Sequence, residues 1–237
     1  MSKIEGKAAI VTGGSKGIGL AIARALAYRG ANVFICARGK AALDGALEDL
    51  RSKAMSRVEG TTCDVRDYEQ VREMINKAAQ LLGGVDILIN NAGVGFFRSI
   101  EELSIEEWKA TIETNLSGAF YCSKAAIPLM KRRGGGFIIN IGSLAGKNAF
   151  AGGTAYNASK FGLVGFSEAL LQDVRYDHIR VCCIMPGSVN TGFSGRDRAE
   201  DWKLMPEDVA MVVVSVLEIE PRAMASLVEL RPSEPRK

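Results

Sequence analysis

Two residues of the 237-residue chain are spaced for proton transfer. Tyr156 and Lys160 lie four apart in a stretch of helical composition, so they share one helix face. A free tyrosine phenol has a pKa of ~10 and exchanges protons poorly at neutral pH. An ammonium beside it favours the phenolate and lowers that value. The pair therefore predicts a phenol that gives a proton to a carbonyl oxygen or takes one from an alcohol. Ser143, at the end of an apolar run, is placed to hydrogen-bond the same oxygen. Each residue alone has an ordinary explanation, because Tyr–Lys pairs are common on helices and a serine after a strand often caps a turn. His178 is the only histidine. It sits in a polar turn beside Asp177, which argues against a histidine base and against a metal centre.

A second feature suggests what the proton transfer accompanies. Directly after the first apolar run comes TGGSKGIG, residues 12–19, followed by a helical pattern. Gly13, Gly17 and Gly19 permit a tight turn and close backbone approach. The helix start that they open, with Ser15 and Ile18 alongside, offers free N–H groups and a positive dipole end to a pyrophosphate. The spacing is G-x-x-x-G-x-G, in the first strand–helix unit, where a dinucleotide fingerprint belongs. A carboxylate at the end of the second strand would select the ribose 2′-hydroxyl of NAD. Here that strand ends at Ala37 with Arg38 next, and a guanidinium binds a 2′-phosphate bidentately.

Together with NNAG at 90–93, Ser143 and YNASK at 156–160, this loop resembles the short-chain dehydrogenase/reductase family over about residues 5–192. Four motifs occur in the family's order and spacing. The resemblance implies a catalytic set of Asn115, Ser143, Tyr156 and Lys160, with Asn115 linking Lys160 to solvent through a water. It gives Lys160 the nicotinamide ribose hydroxyls, and Lys16 a second basic position used by NADP-preferring members. Asp64 would meet the adenine amino group and Val65 its ring, although Asp64 could also cap the next helix. Asn91, Ala92 and Gly93 would line the adenosine side. Pro186, Gly187, Val189 and Thr191 would lie along the nicotinamide. The cofactor so implied is NADP(H), and the substrate a small carbonyl or alcohol. A 3-oxoacyl chain on a carrier protein is the alternative substrate, with Arg132 compatible with an acidic carrier, although the ending ASLVELRPSEPRK looks more like small-molecule reductases. An NADP-binding regulatory protein without turnover is a second alternative, which the intact set speaks against.

These residues need a scaffold, and the pattern predicts one. Strand-like runs, mostly apolar, at 7–11, 32–37, 58–62, 86–90, 137–141 and 179–185 alternate with helical stretches at 17–29, 41–53, 68–82, 105–133 and 154–176. Continuously apolar strands separated by helices predict a Rossmann-type, doubly wound parallel sheet with helices on both faces, in a single domain. A helix at 206–217 and a last strand at 225–230 complete it. The loop 187–205 lacks a strong period and predicts a lid that orders with ligand. Phe96, Phe150, Phe193 and Trp202 lie in loops beyond strand ends, which predicts a partly apolar substrate site. Arg196, Asp197, Arg198, Glu200 and Asp201 mix both signs there and specify no anion.

Composition removes several functions. Thirty basic and 27 acidic residues give a net charge of +3, too balanced for a nucleic-acid binder. No run reaches the ~18 apolar residues of a membrane span. Lys131, Arg132 and Arg133 before three glycines read as a helix C-terminus complementing its dipole. The five cysteines, Cys36, Cys63, Cys122, Cys182 and Cys183, are irregularly spaced and lie mostly in apolar runs, which predicts no disulfide framework and a cytoplasmic setting. The 154–176 helix carries apolar residues, Phe161, Leu163, Phe166 and Leu170 among them, around most of its circumference. Its own sheet covers one side only, which predicts a homodimer or homotetramer. The resemblance adds that this helix and region 104–133 meet their symmetry mates.

Overall fold

The computed structural model describes residues 3–54, 56–193 and 200–235. Seven parallel strands form one sheet in the order β3-β2-β1-β4-β5-β6-β7. They are β1 (Ala8–Thr12), β2 (Asn32–Ala37), β3 (Val58–Thr62), β4 (Ile87–Asn90), β5 (Gly136–Ile141), β6 (Ile179–Pro186) and β7 (Leu227–Leu230). The helices are α1 (Gly17–Tyr28), α2 (Lys40–Lys53), α3 (Tyr68–Leu82), α4 (Ile105–Ile112), α5 (Gly118–Arg132), α6 (Thr154–Val174) and α7 (Pro206–Leu217). The doubly wound parallel sheet is therefore as the alternating pattern predicts, and β2, β3, α3 and α7 fall on their expected bounds.

Continuous apolarity reflects double coverage. Every residue of β1 is buried, because one face meets α1, α2 and α7 and the other meets α3, α5 and α6. Ile35, Val11 and Ile89 point to the first layer, and Phe34, Ile10 and Leu88 to the second. The helices obey local rules. Asp67 Oδ1 accepts from the amides of Glu69 and Gln70 and starts α3. Val71, Met74, Ile75 and Ala78 form its buried stripe, and Gly83 at φ +80° ends it. A capping box between Ser104 and Glu107 starts α4. Asp67, not Asp64, is thus the cap of the third helix.

Region 105–133 is not one helix. A π turn over Glu113–Ser117 separates α4 from α5. Such a turn inserts an extra residue into the ladder and re-aims the next helical segment, and it is frequent at functional sites. Of the basic cluster ending α5, Lys131 pairs with Asp177 at 2.7 Å and Arg133 with the buried Asp86 at 3.1 Å. No described helix is long and apolar enough to cross a membrane.

Candidate active site

The strand order reverses between β1 and β4, and the chains leaving their carboxyl ends diverge. That is where a doubly wound sheet opens a crevice. A cleft of ≈1130 Å³ lies there. Single small-ligand pockets run to ~300–1,000 Å³, so the space suits a long ligand with a second molecule beside it.

The glycine loop forms one wall. Gly13 has φ +64°, and a Cβ on it would come within 2.9 Å of Ala92 Cα. A Cβ on Gly19 would lie 2.3 Å from Gly13 O and 2.4 Å from Asn91 Nδ2. No other residue fits there without displacing backbone. Asn91 Nδ2 donates to the carbonyls of Thr12 and Gly13, while Thr12 Oγ1 accepts from the amides of Asn91 and Ala92. These bonds weld the glycine loop to the NNAG segment. The helix start behind it is left open: Lys16 occupies the N-cap of α1 without a side-chain cap bond, and no acid lies in the first turn. Ser15, Lys16, Gly17 and Ile18 all line the cleft. This cradle fits a pyrophosphate.

Ala37 and Arg38 also line it, as do Asp64, Val65, Ala92 and Gly93. Arg38 and Lys16 are exposed and have no ion-pair partner among the described residues. Asp64 is not free: Arg66 binds it at 2.6 Å and holds its carboxyl below the usual carboxylate range. At the other end, Pro186, Gly187, Val189 and Thr191 close the wall, with Thr191 against Gly17.

The YNASK motif forms another part of the cleft, and four of its five side chains have distinct partners. Tyr156 is half-buried, its ring edge-on to Phe97 at 5.4 Å and tilted to Phe193 at 5.8 Å. Asn157 donates to the carbonyls of Ala145 and Asn148, holding the segment after Ser143 against α6. Ser159 Oγ donates to Tyr156 O and accepts from Asn115 Nδ2 at 3.0 Å. Lys160 is buried and donates from Nζ to Ile141 O at 2.8 Å, two residues before Ser143. Its ammonium stands 5.7 Å from the Tyr156 ring centre. Ser143 lines the cleft and its Oγ also accepts from Ala145 N, so the cap and the site role coexist.

The electrostatics differ from expectation. Burial pushes the Tyr156 phenol above its ordinary value, and the facing Ser143 hydroxyl offsets this in part. Burial pulls Lys160 down to about 8, opposed in part by Cys183. In the protein alone, desolvation therefore sets the direction of both shifts.

Two further positions depart from the reading of the sequence. Trp202 does not line the cleft. Its indole donates to Glu200 at 2.9 Å, and Lys203 takes the cleft position instead. Phe97, not singled out by its spacing, packs on Tyr156 and lines the cleft with Phe96, Phe150 and Phe193. A short apolar loop after a strand was the only signal for it. Asn115 lies in the π turn, 2% exposed, with both Nδ2 protons committed to Val94 O and Ser159 and its Oδ1 accepting from Val94 N. Its side chain thus braces the 93–95 loop and α6. Of the lid, residues 200–205 are tied back to 188–190 through Asn190 and Leu204. Arg196, Asp197 and Arg198 lie outside the described residues.

The family model for short chain dehydrogenases matches residues 7–202. The chain belongs to the short-chain dehydrogenase family. It is 40% identical over 189 residues to dehydrogenase/reductase SDR family member 4 of Oryctolagus cuniculus, covering 79% of this chain and 72% of that one. It is 41% identical over 192 residues to a 3-oxoacyl-[acyl-carrier-protein] reductase of Chlamydia muridarum, covering 80% and 77%. Among solved structures it is similar to an alcohol dehydrogenase of Thermococcus sibiricus complexed with 5-hydroxy-NADP, with TM-score 0.91, 31% identity and 98% of both chains covered. A metagenomic short-chain oxidoreductase in complex with NADP superposes with TM-score 0.86 at 34% identity, covering 99% and 100%. This short-chain dehydrogenase is accordingly an oxidoreductase with a parallel nucleotide-binding sheet.

Proposed function

We propose that the protein is an NADPH-dependent reductase of small carbonyl compounds, with Tyr156 as the proton donor. The observation that carries this is the convergence of Tyr156, Ser143 and Lys160 in a cleft that Lys16 and Arg38 also line. Two cations without carboxylate partners among the described residues suit a 2′-phosphate, and Ala37 leaves no acid to repel it. The neighbours complexed with NADP support the same choice. When bound, the nicotinamide supplies the hydride. The chain's residues do the rest. Gly13, Gly17 and Gly19 admit the pyrophosphate, while Asp64, Val65, Asn91, Ala92 and Gly93 flank the adenosine. Pro186, Gly187, Val189 and Thr191 orient the ring. Ser143 holds the substrate oxygen, Tyr156 gives it a proton, and Lys160, held by Ile141 O, keeps positive charge beside the phenol. Asn115 positions Lys160's helix through Ser159. Five buried free cysteines suit a reducing, cytoplasmic setting.

A second copy of the chain is part of this reading. Phe161 on α6 is 45% exposed, Phe120 on α5 43%, and Ile105 on α4 63%. Gly165, one turn after Phe161 on α6, faces open space. This apolar face suits an isologous helix contact and hence a homodimer or homotetramer. A carrier-borne 3-oxoacyl substrate is the second reading, favoured by the similarity to the Chlamydia reductase. Lys131 and Arg133 are engaged by Asp177 and Asp86, which leaves Arg132 alone of that cluster for an acidic carrier.

The test is Tyr156→Phe. Cofactor affinity stays within a few-fold and turnover falls by ~10²–10⁴. Near-normal kcat in the variant would remove Tyr156 from the mechanism.

A further inference from the structure

The reacting phenol stands in a wall of aromatic rings. Phe97 lies 5.4 Å from Tyr156 and 5.9 Å from Phe150, and Phe193 lies 5.8 Å from Tyr156. Backbone built for the purpose seats these rings. A Cβ on Gly95 would come within 2.7 Å of Phe193 Cε1 and 3.0 Å of Phe97 Cζ, so both rings converge over a bare Cα. A Cβ on Gly153 would lie 2.7 Å from the Phe150 ring. The wall is nonetheless incomplete: Phe97, Phe150 and Phe193 line the cleft yet stay 41%, 47% and 42% exposed. Charge is scarce. Besides the buried Lys160, Lys203 is the one cation of the described residues lining this end, and Glu200 pairs with it. Arg98, next to Phe97 in sequence, is held by Glu107.

We propose that the substrate is an uncharged carbonyl compound carrying an aromatic ring, which completes this ring cluster while its carbonyl oxygen meets Tyr156 and Ser143. The proposal rests on the reductase reading above and specifies its substrate class. Tilted and edge-on ring contacts discriminate an aromatic group from a saturated one of equal size. Plain apolar burial would favour the saturated ring, which is the more hydrophobic, so the two explanations predict opposite preferences.

The experiment compares 4-phenylbutan-2-one with 4-cyclohexylbutan-2-one, whose carbonyls are equally reactive because neither is conjugated to the ring. With NADPH, kcat/KM is expected to favour the phenyl ketone by about tenfold. Phe97→Leu and Phe193→Leu should each bring the ratio toward one. A ratio of one or below in the wild type, or a ratio unmoved by both substitutions, overturns the proposal. A carboxylated phenyl ketone turned over faster than its neutral counterpart overturns the uncharged class. Calorimetric binding of both ketones to the Tyr156→Phe protein saturated with NADPH separates the two readings. If neither ketone is reduced by the wild type, the reductase reading fails. A phenyl preference in binding then still supports the ring site, and equal binding refutes it.

Discussion

Lys160 should destabilise the fold at neutral pH, and the size of the effect can be worked out. Lys160 is 5% exposed, and burial lowers its pKa from 10.5 to about 8. Each pKa unit corresponds to about 1.36 kcal/mol, so holding the charge in the native state costs on the order of 3 kcal/mol. The sign comes from proton counting. Between about 8 and 10.5 the unfolded chain binds a proton at Lys160 that the native state does not. Stability therefore rises with pH across that window, and the penalty is full below it. Other groups titrate there too, so the measurement is a difference between the wild type and Lys160→Met, which keeps the side-chain length without the charge. Urea melts of both proteins, free of cofactor, would be taken at pH 7 and at pH 10. The variant's advantage over the wild type should shrink by about 2–3 kcal/mol between the two. Loss of the bond to Ile141 O costs the variant about 1 kcal/mol, but at both pH values alike. A difference independent of pH would refute the argument that Lys160 is held desolvated. The activity of Lys160→Met should be nearly lost even where it is the more stable protein, a trade-off common at reacting groups.

Replacing Ala37 with Asp and Arg38 with Ser puts a carboxylate where the 2′-phosphate is proposed to sit. The ratio of kcat/KM for NADPH over NADH should exceed one in the wild type and fall at least tenfold, read by initial rates. Gly19→Ala forces a methyl to within 2.3 Å of Gly13 O, so cofactor affinity should fall more than tenfold and stability by ~1–3 kcal/mol. Fluorescence titration and thermal melts check both. Light scattering should give a mass at least twice 25.4 kDa for the wild type and a lower one for Phe161→Arg. A monomeric wild type at micromolar concentration removes the second copy from the proposal.

Much of this protein is written in short-range pattern. Strands buried on both faces are apolar nearly throughout, so 32–37 could be placed from composition, whereas the edge strand 58–62 (VEGTT) is only partly buried. A helix with one buried stripe repeats every three to four residues, and α3 and α7 carry that period. The glycine loop and YNASK are legible because each role needs a residue type that few others replace. A Cβ on Gly19 would strike backbone, and a phenol and an amine four apart must share a face. Other features depend on partners distant in sequence. The π turn that sets Asn115 has no local signature, and Asn115 is held by Val94 and Ser159 from two other segments. Trp202 left its expected place in the cleft and Phe97 took an unforeseen one for the same reason, since an aromatic in a loop looks alike whether it faces a cleft or a neighbouring glutamate. The charge state of the reacting pair was the last thing spacing could decide. Four residues of separation put Lys160 beside Tyr156, but only tertiary packing buried Lys160 and half-buried Tyr156. Burial then set the direction of each pKa, because an amine and a phenol resist charging where water is excluded.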